Sequence, residues 1–321
     1  LDIVETEDEA SASCALAERP TWLQLFGTYQ AMPHIQKTLA SALSLGMEVG
    51  IASEAPCNME PPGPLRLAKA AYLKYFLPRR VTPFIRGARF ILNWSGDDAL
   101  GLTALGWPAQ KIIPLGYFPP PLPGTTFRSR GIADHSPFRI LCSSALTWHR
   151  GPDILLESLA LLKGWGIPFE AVFTGTGPLH ANMLAQVVQS DLPVRFVGRM
   201  PMDELIALYE GCSIFVAPGR QEPWGIRVND ALNAGAPSLV SRGMGAVKLV
   251  DDHDAGLSFA PCDVTDLAWK LRRLATDEAR YLSVCKALAA ARDAFLPRAA
   301  AEFAAKHIEV TLAENGQAES V

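Results

Sequence analysis

Ile214-Phe215-Val216-Ala217-Pro218, followed by Glu222-Pro223-Trp224-Gly225-Ile226-Arg227-Val228-Asn229-Asp230 and then by Pro237-Ser238-Leu239-Val240-Ser241, reads as strand, helix, strand. The junction sets an acid, Glu222, where strand gives way to helix. Gly225 follows three positions on, and a second acid, Asp230, eight positions on, roughly two helical turns further. Such an arrangement presents backbone N–H groups to an anion while two carboxylates on about one helix face reach for hydroxyls. A sugar nucleotide offers both kinds of group.

Working outward, the same alternation repeats. Phe138 to Ser143 reads as a strand, and Gly151 to Leu162 as a helix with Ile154, Leu155, Leu159 and Leu162 on one face. Phe169 to Phe173 is the next strand, closed by Thr174-Gly175-Thr176-Gly177-Pro178, and a helix over Leu179 to Gln189 follows. Val194 to Gly198 and a helix over Met202 to Glu210 lead into the opening stretch. Five strands separated by helices predict a parallel, doubly wound sheet. Right-handed crossovers then gather the strand C-terminal ends along one crevice.

The first part of the chain is similar but looser. Thr21 to Gly27, Glu48 to Ser53 and Phe90 to Trp94 read as strands, and Ile35 to Leu45, Leu65 to Leu77 and Asp97 to Leu105 as helices. A second α/β unit is expected, with a site in the cleft between the two. The stiff segment Pro119-Pro120-Pro121-Leu122-Pro123-Gly124 and the polar run from Arg128 to Pro137 are the expected linker. The division is 1–133, 134–296, and a C-terminal helix and tail over 297–321.

Global numbers narrow the function. The 321 residues favour two domains. A net charge of −4 gives no basic field for nucleic acid. No apolar run approaches the roughly 18 residues of a membrane span. The acidic start from Leu1 to Glu9 is no signal peptide, and the absence of an initial Met reads as processing or a fragment. Six scattered cysteines (Cys14, Cys57, Cys142, Cys212, Cys262, Cys285) read as buried thiols in a reducing, cytoplasmic compartment, not staples or zinc ligands.

In that order, Gly175-Thr176-Gly177-Pro178, Phe196-Val197-Gly198, Tyr209 to Pro218, Glu222-Pro223-Trp224-Gly225 and Gly235-Ala236-Pro237 resemble the nucleotide-sugar half of family 4 retaining glycosyltransferases. The likeness covers about Phe138 to Leu274. An exposed Ser95, then Gly106-Trp107-Pro108 and Lys111 to Tyr117, resemble the family's approach between domains. The resemblance implies a GT-B fold: two Rossmann-like, doubly wound α/β domains facing across a cleft, with a C-terminal helix after Phe295 crossing back to the first domain. It also implies a nucleoside diphosphate sugar as donor substrate, no cofactor and no metal, and a glycan, lipid-linked or small-molecule acceptor.

Carried over residue by residue, Glu222 contacts donor-sugar hydroxyls and Asp230, one methylene shorter than the family's Glu, the ribose. Arg150 stands at the family's phosphate-binding Lys and can fork onto phosphate. The family's phosphate-binding Arg falls at Ala145 or Leu146, so one cation is missing; His149 and Arg227 are the candidates to replace it. Gly175 and Gly177 form a donor loop, Gly198, Arg199 and Met200 hold the base, and Trp224, Gly225 and Ile226 complete the donor site. Ser238 and Ser241 are structural, while Gly243 to Ala246 resembles a loop facing the cleft. The remaining tryptophans read as mostly core or helix-packing residues.

The first domain departs more. No glycine-rich loop precedes Gly27, so the family's opening is either truncated or replaced. Glu54 stands where the family carries a His near the reacting carbon, as an acceptor contact or base, and His34 is a weaker cleft candidate. Two function classes follow, an active transferase and a degenerate homologue serving as a nucleotide-binding or interaction subunit; an epimerase of the same fold class fits the motif order less well. Lys69 to Arg80 mixes aromatics with Lys and Arg on a helix, which suits either peripheral contact with a membrane interface or a packing helix with a basic end.

Overall fold

The computed structural model describes residues 23–27, 33–97, 100–131 and 137–318. Thr21 and Trp22 of the first expected strand, two residues of the helix expected from Asp97, Asp134-His135-Ser136 of the expected linker, the acidic start and Cys14 lie outside these. In chain order come β1 (Gln24–Gly27), α1 (Pro33–Ser44), β2 (Val49–Ser53), α2 (Pro64–Ala71), a π-helical turn (Tyr72–Phe76), α3 (Leu77–Gly87), β3 (Phe90–Asn93), α4 (Leu100–Ala104) and β4 (Ile112–Pro114). Then follow β5 (Phe138–Ser143), α5 (Pro152–Gly164), β6 (Phe169–Thr174), α6 (His180–Gln189), β7 (Val194–Gly198), α7 (Met202–Gly211), β8 (Ile214–Ala217) and α8 (Arg227–Asn233). The chain closes with β9 (Ser238–Ser241), α9 (Val247–Asp251), β10 (Gly256–Phe259), α10 (Val264–Thr276), α11 (Glu278–Ala291) and α12 (Pro297–Ala318).

Two compact units divide these elements. One holds the chain up to Asn58, Gly63–Gly116 and the stretch from Ala301; the other holds Met59–Pro62 and Tyr117–Ala300. The second unit carries a six-stranded parallel sheet ordered β10-β9-β8-β5-β6-β7. Chain order reverses between β5 and β8, so successive crossovers cover opposite faces. One face buries Ile154, Leu155, Leu159 and Leu162 of α5 with Leu267, Leu271 and Leu274 of α10. The other buries Val228, Ala231 and Leu232 of α8 with Leu249 and Val250 of α9.

The first unit is wound in one sense only. Its parallel sheet runs β1-β2-β3-β4 without reversal, so right-handed crossovers place the helices on one face. There Leu39 and Ala42 of α1, Val81 and Ile85 of α3 and Leu102 of α4 pack over Ile51 and Ile91. The opposite face, with Ala52, Phe90, Leu92 and Ile113, is packed by Ala304, Ile308 and Leu312 of α12. Their spacing of four puts the three on one helix stripe.

Three expectations change here. The helix expected over 65–77 continues through a π turn to Gly87, with Pro78 and Pro83 inside the continuation. Pro78 lacks the N–H that would bond the Lys74 carbonyl, and the wide turn just before it absorbs the ring. Ser95 is buried, not exposed, and its hydroxyl accepts from the Ala55 N–H at 2.8 Å. Among the described cysteines, Cys142, Cys212 and Cys285 are buried free thiols as expected, whereas Cys57 is half-buried and Cys262 exposed. Burial pushes the Cys142 thiol up to about 12 and Cys212 to about 11, which keeps both protonated and unreactive.

The polar run expected as linker is anchored instead, and the units divide between Gly116 and Tyr117 rather than at 133/134. The cause is the C-terminal end of α7, whose last carbonyls have no partner within the helix. Arg130, itself buried, donates to the carbonyls of Tyr209 at 2.6 Å, Cys212 at 3.0 Å and Arg128 at 2.7 Å. Arg128 reaches the Glu210 carbonyl at 3.3 Å and Arg139 that of Gly211 at 3.4 Å. Thr126 holds the Glu210 carboxylate through its N–H and hydroxyl, each at 2.8 Å. Three guanidiniums thus satisfy four orphan carbonyls at the negative end of the helix dipole. Replacing Arg130 with Ala is expected to cost about 3 kcal/mol, roughly 10 °C in Tm, and Arg130→Lys to recover less than half, because one ammonium cannot span three carbonyls. A thermal melt of Arg130→Ala within 2 °C of wild type, about 0.5 kcal/mol or less, would refute the anchor.

Candidate functional site

Ser143 ends β5, Thr174 ends β6, Gly198 ends β7 and Ala217 ends β8, and every one of them lines a cavity. The larger, about 460 Å³, also takes in Ala145, Arg150, Gly175, Arg199, Met200, Ile226 and Arg227. The smaller, about 20 Å³, is walled by Arg150, Glu222, Gly225, Arg227 and Met244. Ser143, Ser144, Arg150 and Arg227 belong to both. Local backbone geometry opens the space: the β6–β7 register shifts at Phe173/Thr174, and Gly198 has a left-handed φ of 69°. Gly175, with φ 83°, comes so close to the Ser144 carbonyl that a Cβ would sit 2.3 Å from it. Only glycine fits there.

Arg150 and Glu222, 72 residues apart, meet directly: the guanidinium donates to Glu222 Oε1. Glu222 is 8% exposed, and its backbone is held on both sides, its N–H by the Gly243 carbonyl at 2.9 Å and its carbonyl by the Gly245 N–H at 3.3 Å. A carboxylate so enclosed is stable as an ion only beside a cation. The Gly243 to Ala246 loop therefore forms a wall of the smaller cavity through Met244 and supports Glu222 from behind.

Arg150 is positioned by a second guanidinium. Arg220 forks onto Asp153, Nη1 to Oδ1 at 2.7 Å and Nη2 to Oδ2 at 2.6 Å, and also donates to the Trp148 carbonyl at 2.7 Å. Its N–H bonds the His149 carbonyl at 2.8 Å, and its charge lies 5.2 Å from the Trp148 ring centroid. The 3₁₀ turn Trp148–Arg150 is thereby tied to the loop that leads to Glu222. Gly151 completes the join with φ 64° and the Pro218 carbonyl 2.1 Å from where a Cβ would stand. The loop carrying the cation and the loop carrying the acid are one braced unit.

Several expected donor residues fall elsewhere. Gly177 lines neither cavity; it lets the loop pack on Leu146, whose carbonyl would be 2.3 Å from a Cβ. Trp224 is 2% exposed, donates to Asn229 Oδ1 at 2.8 Å and packs on Phe118 with centroids 5.7 Å apart. The expected contact of its ring with donor gives way to a core role. Asp230 is buried on α8 and held by Arg227 Nη1 at 3.0 Å. Burial raises its pKa and the Arg227 charge opposes that rise. Glu54 is exposed at the end of β2 in the other unit, His34 opens α1 there, and neither lines these cavities.

Of the two positions for the missing cation, Ala145 faces the larger cavity while Leu146 is fully buried. Arg227 lines both cavities, whereas His149 lines neither. Sequence reasoning passed over Ser143, Ser144, Thr174 and Thr176 as cavity walls. Their signal was position alone, at the C-terminal ends of the central strands of a switched parallel sheet. Ser238 and Ser241, expected to be structural, bond the Ala236 carbonyl at 3.3 Å and the Gly243 N–H at 3.1 Å.

Comparison with known proteins agrees with this architecture. The amylovoran biosynthesis glycosyltransferase AmsK of Erwinia amylovora is 30% identical over 193 residues, 57% of this chain and 46% of that one. The 2-deoxystreptamine glucosyltransferase of Streptomyces kanamyceticus is 30% identical over 134 residues, 41% of this chain and 35% of that one. The matched stretch thus spans less than half the length of either relative. Among solved structures, Anabaena HepE in complex with UDP superposes with a TM-score of 0.67 at 15% identity, over 94% of this chain and 82% of that one. The apo form of the lipopolysaccharide outer core galactosyltransferase WaaB gives 0.65 at 14% identity, over 95% and 80%. The fold is that of the GT-B glycosyltransferases. Residues 125–291, more than half of the sequence, match the family described as Glycosyl transferases group 1, and the chain belongs to that family.

Proposed function

We propose that this chain is a retaining glycosyltransferase that moves a sugar from a nucleoside diphosphate sugar to a glycan, lipid-linked or small-molecule acceptor. The direct pairing of Arg150, which lines both cavities, with Glu222, which lines the smaller, carries the reading. It puts a phosphate-binding fork beside a carboxylate suited to sugar hydroxyls. HepE, solved with UDP and glucose, and AmsK, named for amylovoran biosynthesis, support the donor and glycan classes.

Transfer with retention builds negative charge on the departing diphosphate and positive charge at the anomeric carbon. In this reading Arg150, Arg199 and Arg227, all lining the larger cavity, meet the diphosphate charge, and no metal is required. Donor phosphate takes Arg150 from Glu222, freeing the carboxylate for sugar hydroxyls. Main chain at Gly198 to Met200 holds the base, and Asp230, paired with Arg227, is the acid assigned to the ribose. Glu54 keeps its assignment as an acceptor-side acid or base.

Ala145 favours a second reading, a homologue that binds nucleotide without catalysis, because the cavity takes a methyl where the family places a cation. Substitution separates the two. Glu222→Gln is expected to lower transfer by on the order of 10²–10³ with nucleotide affinity retained, and Arg150→Ala to weaken diphosphate binding at least tenfold, about 1.4 kcal/mol, by calorimetry. Wild-type turnover in Glu222→Gln would sink the mechanism; nucleotide binding with neither transfer nor donor hydrolysis in wild type would establish the second reading. Arg220→Met touches no cavity wall but frees the Trp148–Arg150 turn, so diphosphate affinity should fall severalfold; unchanged affinity would show that Arg150 needs no brace.

Asp230 adds a pH signature. Its folded-state pKa is raised, so the native chain binds that proton more tightly than the unfolded one. The resulting stability is fully present below the ordinary carboxylate value of 3.8 and is lost as pH rises through the elevated one. The Tm of wild type minus that of Asp230→Asn should therefore grow as pH is lowered from neutrality toward 4. A difference that shrinks over that range would mean Arg227 outweighs burial.

A further inference from the structure

From Pro61 to Gly96 the chain has no Asp or Glu but carries Arg66, Lys69, Lys74, Arg79 and Arg80 on one continuous helical rod, in a molecule whose net charge is −4. The rod is bare over its first half. No residue of α2 or of the π turn is buried, whereas α3 turns Leu77, Val81 and Ile85 into the core. Leu65, Leu67, Tyr72, Tyr75 and Phe76 stand exposed there, Leu67 at 73% and Phe76 at 64%. Single exposed apolar side chains are ordinary on a soluble protein, but five within three turns are not.

Spacing ties the two kinds of residue together. Leu65, Tyr72 and Phe76 recur at near-helical intervals, Lys69 lies one turn after Leu65, and Arg79 and Arg80 lie one turn after Phe76. Lys74 lies 5.2 Å from the centroid of the Tyr75 ring, and the Arg79 guanidinium bonds the Tyr75 carbonyl, so cations and aromatics share the same turn. The π turn makes this arrangement by shifting the helix phase, so that the apolar residues before it do not continue the stripe that α3 buries.

We infer that α2 and the π turn form a membrane-docking surface, whose partner is the anionic headgroup layer of a lipid bilayer. Leu65, Leu67, Tyr72, Tyr75 and Phe76 enter the headgroup–acyl boundary, and the flanking Lys and Arg side chains meet lipid phosphates. A soluble polyanion such as nucleic acid would satisfy the cations but leave five apolar side chains in water. No described helix is long and apolar enough to cross a membrane, so contact of this kind lies in the interface plane. The surface does not rest on the sugar-transfer reading.

Flotation of the full chain with vesicles of phosphatidylcholine, with and without phosphatidylglycerol, tests it. Wild type should float with anionic vesicles and much less with neutral ones or at high salt. Lys69→Glu/Lys74→Glu and Leu67→Ser/Phe76→Ser should each cut the bound fraction on the order of tenfold. These side chains are outside the core, and an unchanged melting curve verifies the fold of each variant. Equal flotation of wild type and both folded variants, equal flotation with neutral vesicles, or no flotation of wild type overturns the inference. Retention of wild type on a soluble polyanion without flotation also overturns it, in favour of a non-lipid acidic partner.

Discussion

The reversal of strand order between β5 and β8 is the constraint on which the second unit depends. A parallel sheet must be covered on both faces, and right-handed crossovers achieve that only if the chain winds outward in both directions from one point. At that point the loops after adjacent strands diverge, and a crevice opens above the strand ends. Ser143, Thr174, Gly198 and Ala217 stand along it for topological reasons. Arg150 and Glu222, carried by the loops after β5 and β8, are neighbours because those two strands are neighbours.

The crevice needs charge held in fixed geometry, and the chain supplies it by relays of arginine. Arg220 anchors the turn that presents Arg150, Arg150 neutralises Glu222, and Arg227 neutralises Asp230. Each enclosed carboxylate has a guanidinium within reach, as burial of an ion demands. The same residue type serves the opposite polarity at the end of α7, where carbonyl groups take the place of carboxylates. The cavity is therefore not short of positive charge although Ala145 on its wall carries none. Function constrains the field at a point in space, and residues from other elements can generate it.

Much of the second unit was legible in the sequence because its strands are continuous apolar runs and its helices carry full stripes. Phe138 to Ser143 and Val194 to Gly198 match to the residue. The edge strand β10, Gly256–Phe259, gave no such run and went unread, being only four residues long and half-exposed in the middle. In the first unit the apolar run that suggested a helix stops at Leu77, yet a π turn carries the helix on past Pro78 and Pro83 to Gly87. The polar run around Arg130 read as linker because composition registers charge and not the carbonyls that charge will meet. Glu222, Arg150, Gly175, Gly198 and Gly225, singled out by their order along the chain, line the cavities, whereas Gly177 packs on Leu146. Trp224 and Asp230 were located correctly on the helix junction, but their side chains turn inward, which spacing alone does not decide.

Net charge is the least informative of the global numbers here. A value of −4 averages over 321 residues, yet charges in physiological salt act over a Debye length of about 8 Å. What a partner meets is therefore the local composition of one face. Along α2, the π turn and α3 every charged residue is cationic, and along the second unit's crevice three guanidiniums stand with the enclosed Glu222 carboxylate. In the proposed readings both surfaces meet phosphate, but by different means. In the crevice Arg150 and Arg227 are held by ion pairs, which suits a small ligand bound in one pose. On the exposed helix the cations lie on long flexible side chains among apolar ones, which suits a fluid layer of headgroups with no fixed pose. How firmly the cations are held, more than their number, separates the two proposed sites.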